Sequence, residues 1–493
     1  MKTRLQGGWV VAWNGRSHEV LEGGCVVLDG DRVVFTGFPD DPACPFVDRT
    51  LDLPGRLISP GLINLHCIGN IDLQPLRIDV TGGGYPKSRA WVEAGAPHLL
   101  NDEQYRISAR FAVATLLRNG ATTFTNVTTM GAKRFEDSEV ETMALARASA
   151  ELGARAYLGH NFQDHVRYED PASGRTLMLV DAEKGRAALG RAVAFVERLA
   201  RDFPDHVRGL MFPYTTETCS DELLVAAYRA AQELGVPVRS HFAQNHVEPK
   251  GLIEGRGLGP VERLAEIGFL GPTITLTHAI FLRGHPEIGG GGDEAMEREI
   301  RLLADSGTNV AHCPVVHARR GEPLRSFDRY RRAGINIAIG SDTGPADLVG
   351  EMRAAALIAK VVDGDARAGS AADVFNAATV GGAIALGRPD LGRLAVGAKA
   401  DVSVFDLRSL QLGVIDCPIK ALVHYASGAD AEHVFVDGRQ VVADRDVVGI
   451  DDDAILAQAQ GVWPHYVAGL VARDPWQRTA DELFPRAFPV RRA

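Results

Sequence analysis

Eight short apolar runs, separated by stretches with apolar residues at three- and four-residue intervals, set the period of most of this chain. The runs read LISPGLINLH, ATTFTNV, ARAYLGHN, RGLMFPYT, VPVRSHF, TITLTHAI, NVAHCPVV and INIAIGSD, from residue 57 to residue 342. Their β-branched and aromatic content, bounded by polar turn residues, predicts buried strands. The stretches between them, such as DEQYRISARFAVATLLRNG and EMRAAALIAKVVDG, carry the helical period. Strand and helix alternating in this way predict an α/β chain built as a (β/α)8 TIM-like barrel.

The two ends of the chain read differently. Residues 1–58 alternate short β runs with glycine turns (WVVAWNG, GGCVVLDGDRVVFTG), and the same texture returns in GRLAVGAKADVSVFDL and AEHVFVDGRQVVADRDV. Two β segments flanking one α/β body are expected to pair, making a small composite β-sandwich domain. The predicted organisation is therefore 1–58 and 391–448 as its two parts, 59–390 as the barrel, and 449–493 as a helical tail. That tail, with ILAQAQGVWPHYVAGLVAR, is expected to pack on the barrel or on a neighbouring subunit.

Composition narrows the partners. The 493 residues are 45% hydrophobic and 24% charged, as in an ordinary globular protein. Lys+Arg 53 against Asp+Glu 63 gives a net charge of -10 with no basic cluster, which argues against nucleic acid or an anionic membrane surface. A small neutral organic substrate fits better. The N-terminal MKTRLQGGWVVAWNG lacks a sustained apolar stretch, and no run approaches the roughly 18 apolar residues of a membrane span, so the expected location is the cytoplasm. Cys25, Cys44, Cys67, Cys219, Cys313 and Cys417 show no C-x-x-C spacing and are read as reduced and structural.

Four of the strand runs close on a residue able to bind metal: His66, His241, His278 and Asp342. Parallel strands in a barrel bring such ends to one rim, where residues distant in sequence converge. Imidazole with carboxylate suits Zn, Co, Fe or Mn rather than Mg or Ca. A divalent ion held there would lower the pKa of a bound water toward about 7. His160, Asn161 and Gln163 follow the third run, Tyr214 the fourth and His317 the seventh, each open to a substrate-pocket or an ordinary loop role. The segment from Ile71 to Leu100, containing Tyr85, Trp91 and Leu99, is a candidate lid. GGGGDE at 289–294 lacks the Lys and Ser/Thr of a phosphate loop and is read as a connection.

The segments PGLINLH (60–66), THAIFL (277–282), AHCPVVH (311–317), GSDTGP (340–345), EMRAA (351–355) and VFNAATVGGAIALG (374–387), in this order, resemble the amidohydrolase superfamily, in its aminohydrolase-like branch. The resemblance implies a metal-dependent hydrolase of non-peptide carbon–nitrogen bonds and a homo-oligomer. It also exposes departures. Where the family carries H-x-H at the first strand, this chain has His66 and then Ile68, which has no donor atom. Asn64 sits two residues before His66, so by strand alternation its amide oxygen either supplies the missing ligand or caps the strand end. The N-x-H pattern is similar to that of the phenylurea hydrolases and molinate (thiocarbamate) hydrolase. The fourth run has no lysine, so one metal ion is implied rather than a carboxylated-lysine pair.

The family histidine after the sixth strand, His278 here, is implied to contact water and the substrate carbonyl, with ligation as the alternative. The family's deaminases carry H-x-x-E after the fifth strand; this chain has His241-Phe-Ala-Gln244, and an amide cannot shuttle protons. Relatives often carry Asn where His317 stands. The expected ligands are thus Asn64, His66, His241 and Asp342, with His278 and Asp342 catalytic and Gln244, His317, Gln163 and Tyr214 against substrate. The reaction expected is hydrolysis of a urea, carbamate or thiocarbamate, foremost a phenylurea. Deamination or dechlorination of an N-heterocycle is the alternative, and a ligand-binding barrel without metal is a third reading that rests on Ile68.

Overall fold

All eight apolar runs form parallel strands: β1 (Leu62–Ile68), β2 (Ala121–Val127), β3 (Arg155–Leu158), β4 (Val207–Gly209), β5 (Val238–Phe242), β6 (Ile274–His278), β7 (Asn309–His312) and β8 (Ile337–Ile339). The computed structural model describes residues 1–80, 86–95, 98–128, 134–322, 324 and 327–491. The strands make two four-stranded sheets, ordered β4-β3-β2-β1 and β5-β6-β7-β8. The sheets meet at two seams. At one, the Arg239 N–H donates to the Met211 carbonyl (3.0 Å) and the Met211 N–H to the Pro237 carbonyl (2.9 Å). At the other, the Asp342 N–H donates to the His66 carbonyl at 2.9 Å. Ile63, Leu65, Tyr157, Leu210, Phe212, Ala311 and Ala338 pack together as one buried cluster drawn from both sheets.

The second seam needs a glycine. A Cβ on Gly340 would stand 2.6 Å from the His66 Cβ, so any side chain there would push the end of the eighth strand away from the first. β1 also carries a bulge: between Asn64 and Cys67 its register slips against Phe124 and Asn126 by one residue. An extra residue interrupts side-chain alternation. Asn64 and His66 therefore do not share a face as a regular strand would require.

The end segments pair as expected, in one nine-stranded sheet. Arg56–Pro60 from the N-terminal part and Val402–Asp406 from the C-terminal part run antiparallel at its centre, with Ser59 opposite Ser403. The Arg155 guanidinium, at the start of β3, ties the parallel strands to this sheet through two bonds to Asp401 (2.9 and 3.0 Å) and one to Asp437 (2.5 Å).

The tail forms a helix, Asp452–Ala472, that packs on the helix Asp102–Arg118; Tyr466 and Ser108 hydroxyls lie 2.9 Å apart. Tyr85 of the candidate lid lies outside the described residues. Trp91 is buried against Val92, Phe135 and Val166, with the Arg473 guanidinium 5.7 Å from its ring, and Leu99 packs on Gly469. These two side chains fasten the segment to its neighbours instead of presenting an apolar face to a ligand. The glycine-rich stretch leads into the helix Gly292–Ser306. A hairpin, His165–Asp170 with Arg175–Val180, was not anticipated from the pattern. Among the described residues no helix is long and apolar enough to cross a membrane.

Candidate metal centre

His66, His241 and His278, all buried, offer ring nitrogens within 4.8 Å of one another. Asp342 completes the group, with Oδ1 3.4 Å from His66 Nε2 and Oδ2 3.8 Å from His278 Nε2. The sequence separation of up to 276 residues collapses because β1, β5, β6 and the turn after β8 end at the same rim. Two of these residues hold unusual backbone: φ is 82° at His278 and 47° at Asp342. Side chains in this left-handed region cost about 1–3 kcal/mol, and such residues concentrate at working sites.

The remote nitrogen of each histidine sets what the near one offers. His241 Nδ1 is 2.5 Å from the Tyr214 carbonyl, an acceptor, so its hydrogen lies there and Nε2 has a bare lone pair. His66 Nδ1 is 2.7 Å from Arg239 Nη1, which can only donate. A neutral His66 therefore carries its hydrogen on Nε2, toward Asp342; to hold a metal through Nε2 the ring would have to carry its hydrogen on Nδ1 instead and give up the bond from Arg239. His278 Nδ1 is 2.9 Å from His317 Nε2. Burial, followed by His66 and His241, drives the pKa of His278 well below the usual imidazole value, so the ring is neutral. Three imidazoles and one carboxylate converging in a buried pocket suit a divalent transition metal.

Asn64 does not join them. Its side-chain oxygen accepts from the backbone N–H of Ser341 (3.1 Å) and of His66 (3.4 Å), and its amide donates to Ser341 Oγ (2.9 Å). Of the two roles open to Asn64, these bonds are the strand-end one: the bulge in β1 turns the side chain onto the seam with β8, where it clips the two strands. Ile68 is half-buried beside the apolar cluster. His317 is drawn in through His278. Tyr214 lies with its ring 5.0 Å from His241, and its main part in the site is the carbonyl that orients that histidine. Gln163 donates to the Arg134 carbonyl, and His160 pairs with Glu136 at 3.3 Å; both tie loops together. The Asn161 amide bonds Thr128 Oγ1 at 3.3 Å. Gln244 is half-buried and makes no hydrogen bond among the described residues.

Arg239 is the residue that sequence reading missed. It is fully buried, its Nη1 also meets Thr125 Oγ1 at 2.8 Å, its Nη2 donates to the Asn126 carbonyl, and its guanidinium lies 4.2 Å from the Phe212 ring. Burial lowers its pKa to about 10, which leaves it charged near neutrality. The available signal was its place two residues before His241, on the same face of β5. Glu351, in the EMRAA motif, accepts from the Val315 N–H at 3.0 Å and so anchors the short helix Pro314–Ala318 that carries His317.

Comparison with known proteins gives the same picture. The model of the "Amidohydrolase family" matches residues 57–441. The chain is 32% identical, over 86% of its length and 90% of the relative's, to a 5-methylthioadenosine/S-adenosylhomocysteine deaminase of Natronomonas pharaonis. It is 26% identical to a 5'-deoxyadenosine deaminase of Methanothermobacter thermautotrophicus, over 89% and 93% of the two chains. Among solved structures, it shares its fold with an adenosine deaminase from Xanthomonas campestris with bound zinc (TM-score 0.76, 24% identity, 94% and 98% covered). An atrazine chlorohydrolase from Arthrobacter aurescens TC1 complexed with zinc is similar too (TM-score 0.73, 23% identity, 93% and 99% covered). With the family model spanning most of the chain and the histidine–aspartate cluster at its strand ends, this protein belongs to the amidohydrolase family and is a metal-dependent enzyme acting on carbon–nitrogen bonds.

Proposed function

We propose that the protein is a zinc-dependent aminohydrolase, binding one metal per chain, that adds water at a ring carbon of an N-heterocycle and releases its exocyclic nitrogen as ammonia. The observation that carries this reading is the convergence of His66, His241 and Asp342, with His278 beside them, in a chain similar to a curated deaminase over 86% of its length. In this reading the two parallel sheets close into one (β/α)8 barrel over residues 59–390, and residues 1–58 and 391–448 make one composite β domain. His66, His241 and Asp342 hold the metal. Its Lewis acidity, when bound, makes water a nucleophile near neutral pH. Asp342 takes a proton from the attacking water, and His278 Nε2 faces the heteroatom on which charge develops.

A second reading is favoured by Gln244, which cannot pass protons as the family glutamate does. Hydrolysis at the carbonyl of a urea, carbamate or thiocarbamate, foremost a phenylurea releasing an arylamine, makes less use of that group. The two readings separate on product. Zinc-loaded protein incubated with 5-methylthioadenosine, other aminated purines and N-aryl ureas is expected to form ammonia in step with loss of the aminated heterocycle. Arylamine from the ureas, with no ammonia from any heterocycle, would replace the first reading by the second.

A further inference from the structure

We propose that His317 is a positioning residue that fixes which nitrogen of His278 carries hydrogen, so that His278 presents an N–H to the substrate; this rests on the aminohydrolase reading above. His317 Nε2 and His278 Nδ1 are 2.9 Å apart, with ring centroids at 4.5 Å. Both rings are buried and face each other nitrogen to nitrogen. One of the two facing nitrogens must donate to the other.

The far nitrogens decide which. Neither His278 Nε2 nor His317 Nδ1 has a hydrogen-bond partner among the described residues. If His278 donated, the His317 hydrogen would sit on Nδ1, a buried N–H facing no acceptor. If His317 donates, Nδ1 of His317 is a bare acceptor and the His278 hydrogen sits on Nε2, which points into the site toward Asp342 (3.8 Å) and incoming substrate. A buried N–H with no acceptor is the costlier orphan, and in the second arrangement the substrate supplies its partner. The ring of His317 is held for this by the helix Pro314–Ala318, itself pinned through Val315 to Glu351. The pair also meets a need that this chain creates. With Gln244 unable to pass a proton, the Nε2–H of His278 is the hydrogen-bond donor aimed at the atom on which charge develops, the ring staying neutral, and the proton that Asp342 takes from water is the one returned to the leaving nitrogen.

The test uses full-length, zinc-loaded protein with His317→Leu and His317→Gln. Zinc content, thermal midpoint and the kcat and KM of ammonia release are measured, with nitrogen-15 NMR of histidine-labelled parent and variants in the absence of substrate. His317→Leu is expected to keep its zinc and KM while kcat falls by about 10²- to 10³-fold, the usual cost of losing one preorganised hydrogen-bond donor. His317→Gln, whose amide can still donate to Nδ1, should recover part of that kcat. In the parent, the His278 signals should show hydrogen on Nε2 and none on Nδ1. Hydrogen on Nδ1 of His278, parental kcat in His317→Leu, or loss of zinc with activity in both variants would overturn the assignment. The NMR result is independent of turnover: if no heterocycle yields ammonia, the functional reading fails by itself and the spectra still decide on His317.

Discussion

Arg155 and Arg239 are both buried inside the strand framework, yet their surroundings are opposite. Arg155, at the start of β3, meets two carboxylates, Asp401 and Asp437, and these raise its pKa against the pull of burial. Arg239, in β5, meets only neutral acceptors: the carbonyls of Leu65 and Asn126, the Thr125 hydroxyl and His66 Nδ1. Among the described residues it has no ion pair, and burial lowers its pKa to about 10. The first arginine is matched in charge and joins two parts of the molecule. The second has no ion pair among the described residues and has Asp342 of the metal centre as the carboxylate acting on its charge, so its buried charge is less well matched. The contrast teaches that Arg155 works for stability and Arg239 for the site. Its N–H, held to His66 Nδ1, keeps that ring's hydrogen on Nε2, and its positive charge would oppose a cation held there.

The contrast breaks most sharply at the ligands. Asp342→Asn and His241→Ala are expected to lose metal and activity together, because each removes a donor from a set of few. Elemental analysis beside the ammonia assay checks this; full zinc occupancy in either variant would remove that residue from the centre. Next in size is the structural arginine. Asp401→Asn should destabilise the fold by about 3–5 kcal/mol, the cost of breaking a buried ion pair by removing one partner. Denaturant unfolding measures it, and the folded fraction should keep its turnover.

Arg239→Met is expected to lose less stability, about 1–3 kcal/mol for acceptors left without a donor, and to bind zinc more tightly because a repelling charge is gone. Competition with a chelator reads the affinity; weaker zinc binding would refute the opposition drawn between the two arginines. The smallest effect belongs to Asn64→Ala. Loss of the clip to Ser341 should cost about 1–3 kcal/mol of stability while zinc stoichiometry stays at the parental value, and a fall in stoichiometry would return Asn64 to the coordination sphere.

Much of this was readable in the sequence, for a physical reason. VPVRSHF, TITLTHAI and INIAIGSD announce Val238–Phe242, Ile274–His278 and Ile337–Ile339 because buried parallel strands must be continuously apolar, and a polar residue at the end of such a run stands out. His66, His241, His278 and Asp342, picked out this way, are brought together by the fold. The choice between the two roles of Asn64 was not legible, because a one-residue bulge cannot be seen in a pattern of alternation and its partner Ser341 lies 277 positions away. Arg239 looked like an ordinary charged residue, since nothing local in VPVRSHF tells that its head crosses to β1 and β2. His317 was placed on the rim, but its contact with His278 depends on how the turn after β7 faces the end of β6. Deaminase relatives bring forward the reaction that the sequence reading had ranked second, and Gln244 remains the residue that keeps the carbonyl reading in play.

The central claim is that one zinc sits between His66, His241 and Asp342. Anomalous diffraction from crystals of the zinc-loaded protein, collected on both sides of the zinc absorption edge, tests it most directly. A single strong peak per chain is predicted, about 2.0–2.2 Å from the ring nitrogens of His66 and His241 and from an Asp342 oxygen. A zinc-loaded crystal with no peak among these three side chains, or with its peak elsewhere in the chain, would contradict the account.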